Sequence, residues 1–125
     1  MKQSFTKENI HKLLSNLQGF ESIEILQEGV AYRLTLSAGE KTILFQWRYE
    51  LGEVFVEYLE NEVAIFSDWF ECLSSDELND FVSYIELVAR RYLYSSTRIF
   101  KNGFIFKTSV LQYQTNNGWL NVLHP

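Results

Sequence analysis

Four runs of alternating apolar residues follow one another along this chain with almost nothing between them. Ile23 and Ile25 alternate with Ser22 and Glu24, and Tyr32, Leu34 and Leu36 alternate with Arg33 and Thr35. Ile43, Phe45, Trp47 and Tyr49 then alternate with Thr42, Gln46 and Arg48, and Val54, Val56 and Tyr58 with Glu53, Phe55, Glu57 and Leu59. A period of two sends successive side chains to opposite faces of a strand. The turns between the runs, at Gly29, Ala38-Gly39 and Leu51-Gly52, are too short for the crossover that a parallel pair requires. The runs are therefore expected to form an antiparallel meander with one buried face and one wetter face. A fifth strand, Val63–Phe66, is expected after a tight turn near Asn61.

A helix is predicted on each side of this meander. Over Thr6–Gln18, Thr6 is the cap and Phe5 can staple to Ile10. Ile10, Leu13, Leu14 and Leu17 recur at helical spacing, and Gly19 supplies the stop. The second helix, Ser75–Tyr92, opens on the capping box Ser74-Ser75-Asp76-Glu77, with Leu73 and Leu78 as its staple. Leu78, Phe81, Val82, Ile85, Val88, Ala89 and Tyr92 form its apolar stripe. Acids crowd the first turn and Arg90 and Arg91 the last, matching the helix dipole at both ends.

Beyond Thr97 the pattern returns to β. Asn102-Gly103 lies between Ile99-Phe100 and Phe104–Phe106, and Asn117-Gly118 lies between Val110–Tyr113 and Trp119–Leu123. Both read as two-residue hairpins. No linker, repeat or low-complexity segment interrupts the 125 residues. The expected architecture is a single α+β domain over residues 1–125. In it an N-terminal helix and one long central helix pack on an antiparallel meander, followed by C-terminal β-hairpins.

The chemistry-bearing residues are few. The only histidines are His11, on the exposed side of the first helix, and His124, and neither neighbours a nucleophile it could activate. One cysteine, Cys72, and two separated histidines make no zinc set, and Glu60-Asn61-Glu62 is too sparse for a calcium loop. The glycines are all isolated, so there is no phosphate-cradling loop. The expectation is a protein that is not an enzyme and takes no cofactor or metal. The opening MKQSFTKENIHK lacks the apolar core of a secretory signal, and no run approaches the ~20 apolar residues of a membrane span. With a lone cysteine suited to a reducing compartment, the chain reads as cytoplasmic, with no membrane partner.

Charge is the informative remainder. Between Tyr49 and Arg90 stand eleven acids and no Lys or Arg, while the rest of the chain holds all eleven bases and five acids. Such a division bears on association rather than on chemistry. It opposes direct nucleic-acid binding, because the acids repel phosphate and the bases are scattered along the sequence. If Val54, Val56 and Tyr58 face the helices, Glu53, Phe55, Glu57 and Leu59 make an exposed acidic surface with apolar residues interleaved. The loop expected at Asp68-Trp69-Phe70-Glu71 repeats the combination, two large aromatics between two acids. Read as an anchor-and-rim surface, the candidate partner-binding residues are Glu53, Glu57, Glu60, Glu62, Asp68, Trp69 and Glu71. The competing reading places Trp69 and Phe70 in the core and leaves the acids merely solvated.

Taken whole, the chain resembles the bacterial toxin-immunity proteins of contact-dependent growth inhibition systems. The likeness lies in length, acidic balance, lone cysteine, α+β order and acid-rich aromatic middle, and involves no motif, so no site residue is transferred. It implies a small single-domain inhibitor, a monomer or weak dimer, that binds a cognate protein toxin and blocks its active site. A basic nuclease domain suits such an inhibitor, because carboxylates can replace the phosphate its site is built to hold. The order helix, strands, long helix, strands also resembles the class I chaperones of type III secretion. Those end in a helix, however, whereas this chain is β-rich from Ile99 onward.

Overall fold

The computed structural model describes residues 7–17, 19–29, 31–48, 52–71, 75–103 and 108–123. Their order is α1 (Lys7–Asn16), β1 (Ser22–Glu28), β2 (Ala31–Ala38), β3 (Lys41–Arg48), β4 (Glu53–Glu60), β5 (Val63–Glu71), α2 (Ser75–Leu93), β6 (Thr97–Asn102), β7 (Thr108–Thr115) and β8 (Gly118–Asn121). The strands form two antiparallel sheets, β1-β2-β3-β4-β5 and β6-β7-β8.

Register explains why the alternating runs fold as they do. Leu36 pairs with Ile43 and Ile43 with Tyr58, while Leu34 pairs with Phe45 and Phe45 with Val56. All six are buried, as are Tyr32, Trp47 and Val54 on the same face. A slip of one residue in any strand would turn its whole apolar set to water, so the period-2 pattern fixes this register. α2 lies against β2 and β3 and touches α1. From the helices, Leu13, Leu17, Ile85, Val88, Ala89 and Tyr92 complete the core without measurable exposure.

The second sheet hangs from the C-terminal end of α2. Lys41 of β3 donates from Nζ to Tyr92 O (3.1 Å), Ser95 O (2.7 Å) and Thr97 Oγ1 (3.2 Å). One ammonium thus satisfies the Tyr92 carbonyl at the helix end and, through Ser95 O and Thr97 Oγ1, ties the first sheet to the start of β6. Arg91 donates to Val122 O at 3.1 Å, and Leu111, Val122 and Leu123 add the second sheet's share of the core.

Two expectations need correction. β5 runs to Glu71 rather than ending at Phe66, so Asp68-Trp69-Phe70-Glu71 is strand and not loop. On the far side of Asn102-Gly103, Ile99 pairs with Leu111 and Phe100 with Val110 in an antiparallel β6–β7 pair. Val110–Tyr113 thus pairs with β6 as well as with β8, giving one three-stranded sheet. The last turn is displaced by one residue: Thr115 pairs with Gly118, leaving Asn116-Asn117 as the loop. Thr115 Oγ1 accepts from Asn117 N at 3.1 Å and donates to Gly118 O at 2.9 Å, while Gly118 takes the positive φ. Several expectations lie outside what is described: Phe5, Thr6, Gln18, Tyr49, Leu51, Cys72, Leu73, Ser74, Phe104–Phe106 and His124, and the side chains of Ile10, Leu78, Phe81 and Val82.

Candidate functional site

One face of the five-stranded sheet takes the helices and the other is open. The pairings Leu26–Arg33, Arg33–Gln46, Gln46–Phe55 and Phe55–Trp69 define a row of side chains across all five strands on the open face. Beside it runs Glu24, Thr35, Leu44, Glu57 and Ser67. At the β4–β5 end Glu53 pairs with Glu71, so Phe55 and Trp69 have Glu53 and Glu71 on one side and Glu57 on the other.

The aromatic pair is exposed to a degree that folding does not explain. Phe55 is 53% and Trp69 50% accessible, whereas their neighbours Val54 and Phe70, also a register pair, are buried. Phe70 meets Tyr84 of α2 edge-on, with ring centres 4.9 Å apart. The two alternatives for Asp68-Trp69-Phe70-Glu71 therefore divide between its aromatics: Phe70 is core and Trp69 is surface. Burying a ring of this size is worth roughly 1.5–3 kcal/mol, so two on one face are a reserve available to a partner.

The seven candidate residues separate by strand parity. Glu53, Glu57, Trp69 and Glu71 share the open face. Asp68 does not: it stands opposite the inward-facing Val56, is half-buried, and accepts from its own chain at Trp69 N (2.8 Å). Its charge adds to burial, the larger cause, in pushing up the Tyr58 hydroxyl's pKa. Glu60 stands opposite Lys41 and also belongs to the inner parity, though it is exposed at the strand end. Glu62 sits with Asn61 in the β4–β5 turn, at φ 68° and 52° respectively. Both residues are left-handed, as a two-residue primed turn requires, and Glu has no intrinsic liking for that region.

Glu53, Glu57 and Glu71 make no ion pair among the described residues, where Glu86 pairs with Arg90 at 3.1 Å. Bases do occur on the open face, Arg33 on β2 and Arg48 on β3, the latter two residues beyond Gln46, the partner of Phe55. The row containing Trp69 was beyond sequence reading, because Tyr58 pairs with Phe66 while Leu59 pairs with Ala64, leaving Ile65 as an irregularity. Alternation alone does not foresee which residue such a bulge skips.

Elsewhere the surface offers little for chemistry. An open dent of about 10 Å³, bounded by Leu26, Tyr32, Arg33 and Gln46 among others, has room for one water. Among the described residues no group of three or more His, Cys, Asp or Glu is placed to hold a metal ion. His11 is exposed on α1. Among them, too, no helix is long and apolar enough to cross a membrane. Comparison of the chain with protein-family models, with curated proteins and with solved structures gives no match.

Proposed function

We propose that the chain is a non-catalytic binding protein of the toxin-immunity kind, which covers the active site of a basic toxin domain with the β4–β5 end of its open face. In this reading it is an α+β domain organised on its central helix α2, and the partner is a nuclease of a contact-dependent growth inhibition system. One observation supports it above the others. Phe55 and Trp69, each about half exposed, are cross-strand partners framed by Glu53, Glu57 and Glu71, with no base on either strand. Apolar anchors inside a single-sign rim are what a tight protein interface requires: the rings supply affinity and the charges supply steering. Surfaces without a partner generally mix their signs and keep such rings apart.

Within this reading Glu60 and Glu62 extend the rim at the hairpin tip, and Asp68 acts from behind by holding β5 rather than by contact. The test is association with the toxin domain encoded beside this chain's gene. Glu57→Lys/Glu71→Lys is expected to slow association about tenfold or more at low salt, and Trp69→Ala to speed dissociation. Association at the unaltered rate in both variants would place the interface elsewhere.

A further inference from the structure

On the second sheet, Arg98 is held ready and given nothing to hold. Its guanidinium lies 4.4 Å from the centre of the Trp119 ring and 5.2 Å from that of Phe100. Nε donates to Gln112 Oε1 at 2.9 Å, and Gln112 Nε2 donates in turn to Asn121 Oδ1 at 3.1 Å. Register puts Arg98, Gln112 and Asn121 on the face of β6–β8 opposite Leu111, which enters the core. The aromatic rings and the glutamine fix a planar donor fork in one orientation on an outward face.

No carboxylate pairs with this fork among the described residues, and no Asp or Glu follows Glu86 in the sequence. The other nearby guanidiniums are engaged, Arg90 by Glu86 and Arg91 by Val122 O. Phe100 is itself 39% accessible beside the fork. An arginine whose side-chain freedom is already lost, set on aromatic rings with its terminal nitrogens uncommitted, has the make-up of an interface hot spot.

We propose that this shelf binds the acidic open face of a second copy of the chain, with Arg98 received among Glu53, Glu57 and Glu71. Charge complementarity selects that occupant. The shelf has one base, Arg98, and apolar rings without acids; strands β4 and β5 have acids and apolar rings without bases. Single-stranded nucleic acid is the poorer occupant, because the rings that would stack on bases are already covered by Arg98. The two surfaces differ, so the contact is head-to-tail. It rests on the same open face as the function proposed above, and self-association and capture of a basic partner therefore exclude one another. A free molecule keeps its rings covered by another copy until a tighter basic partner displaces it.

Sedimentation velocity tests this. Wild type is expected to self-associate with rising concentration in about 20 mM salt, and at least about tenfold more weakly in about 500 mM. Arg98→Glu and Glu57→Lys/Glu71→Lys should each sediment as monomers, with unchanged thermal midpoints showing that both are folded. Mixed in equal amounts they should associate again, because each retains the surface that the other has lost. Arg98→Lys, which keeps the charge but not the fork, should fall between wild type and Arg98→Glu. A wild type that is monomeric at both salt concentrations overturns the proposal, as does a mixture that stays monomeric. Binding of a single-stranded oligonucleotide that Arg98→Glu abolishes, without self-association, overturns it in favour of phosphate. Arg98→Glu leaves the acidic face intact and uncovered, so if the wild type self-associates and Arg98→Glu fails to capture a basic toxin domain, that failure counts against the proposed function alone.

Discussion

Phe55 of β4 and Trp69 of β5 face each other across the strand pair on the uncovered side of the sheet, while the adjacent pair, Val54 and Phe70, is buried in the core, Phe70 against Tyr84 of α2. One step along each strand thus separates core from surface. Phe70→Ala opens a cavity against Tyr84 and is expected to cost about 3–5 kcal/mol in urea unfolding. Trp69→Ala removes a half-exposed ring and should cost under about 1 kcal/mol. Equal losses at the two positions would mean that Trp69 belongs to the core.

Tyr58 and Tyr92 make a matched comparison. Their rings meet edge-on at 4.9 Å, yet Tyr92 donates its hydroxyl to Leu59 O at 2.6 Å, whereas the buried Tyr58 hydroxyl finds no partner among the described residues. Tyr92→Phe is expected to cost about 1 kcal/mol, and Tyr58→Phe to be neutral or slightly stabilising, since it removes an unpaid desolvation. A loss above about 1 kcal/mol at Tyr58 would reveal a partner for its hydroxyl.

The same two side chains set the alkaline limit. Burial raises both phenols, Tyr92 to about 12 from the usual 10.0. A folded state that holds its protons more tightly is favoured below pH 10 and loses that advantage as the pH climbs from 10 toward 12. Lys41, lowered by burial, works in the opposite sense but is a single group against two. Unfolding free energy should therefore fall steadily above about pH 10, in step with tyrosinate absorbance. Stability that stays flat to pH 11.5 would contradict this account of the core.

Glu62 gives a stabilising prediction. At φ 68° it occupies a conformation that costs a residue with a β-carbon about 1–2 kcal/mol and glycine almost nothing. Glu62→Gly should raise the thermal midpoint by a few degrees. An unchanged or lower midpoint would indicate that the glutamate gains something from this turn in the free protein.

Much of this fold can be read from alternation and punctuation. Leu34, Phe45 and Val56 announce the buried face by their spacing, and Lys7–Asn16 and Ser75–Leu93 fall within a residue or two of their predicted ends. Non-local choices are less legible. β6 takes its partner from Val110–Tyr113, and the irregularity at Ile65 sets the register that places Trp69 beside Phe55. Of the site, acidity and the presence of aromatics are visible in sequence, whereas the assignment of Asp68 to the inner face follows from register alone. Arg98 gave no warning, because its aromatic neighbours Phe100 and Trp119 come from the first and last strands of the second sheet.

The central claim is that Phe55, Trp69 and the surrounding carboxylates form the contact with a basic toxin domain. Stopped-flow association with the toxin domain that the proposed function expects beside this chain's gene, followed through tryptophan fluorescence of a Trp119→Phe variant at two ionic strengths, tests it most directly. The account predicts fast association at low salt and a decline of about tenfold or more by 0.5 M, with Glu57→Lys/Glu71→Lys reproducing the high-salt rate at every ionic strength. A rate indifferent to salt and to the double reversal, with unchanged tryptophan fluorescence, would contradict it.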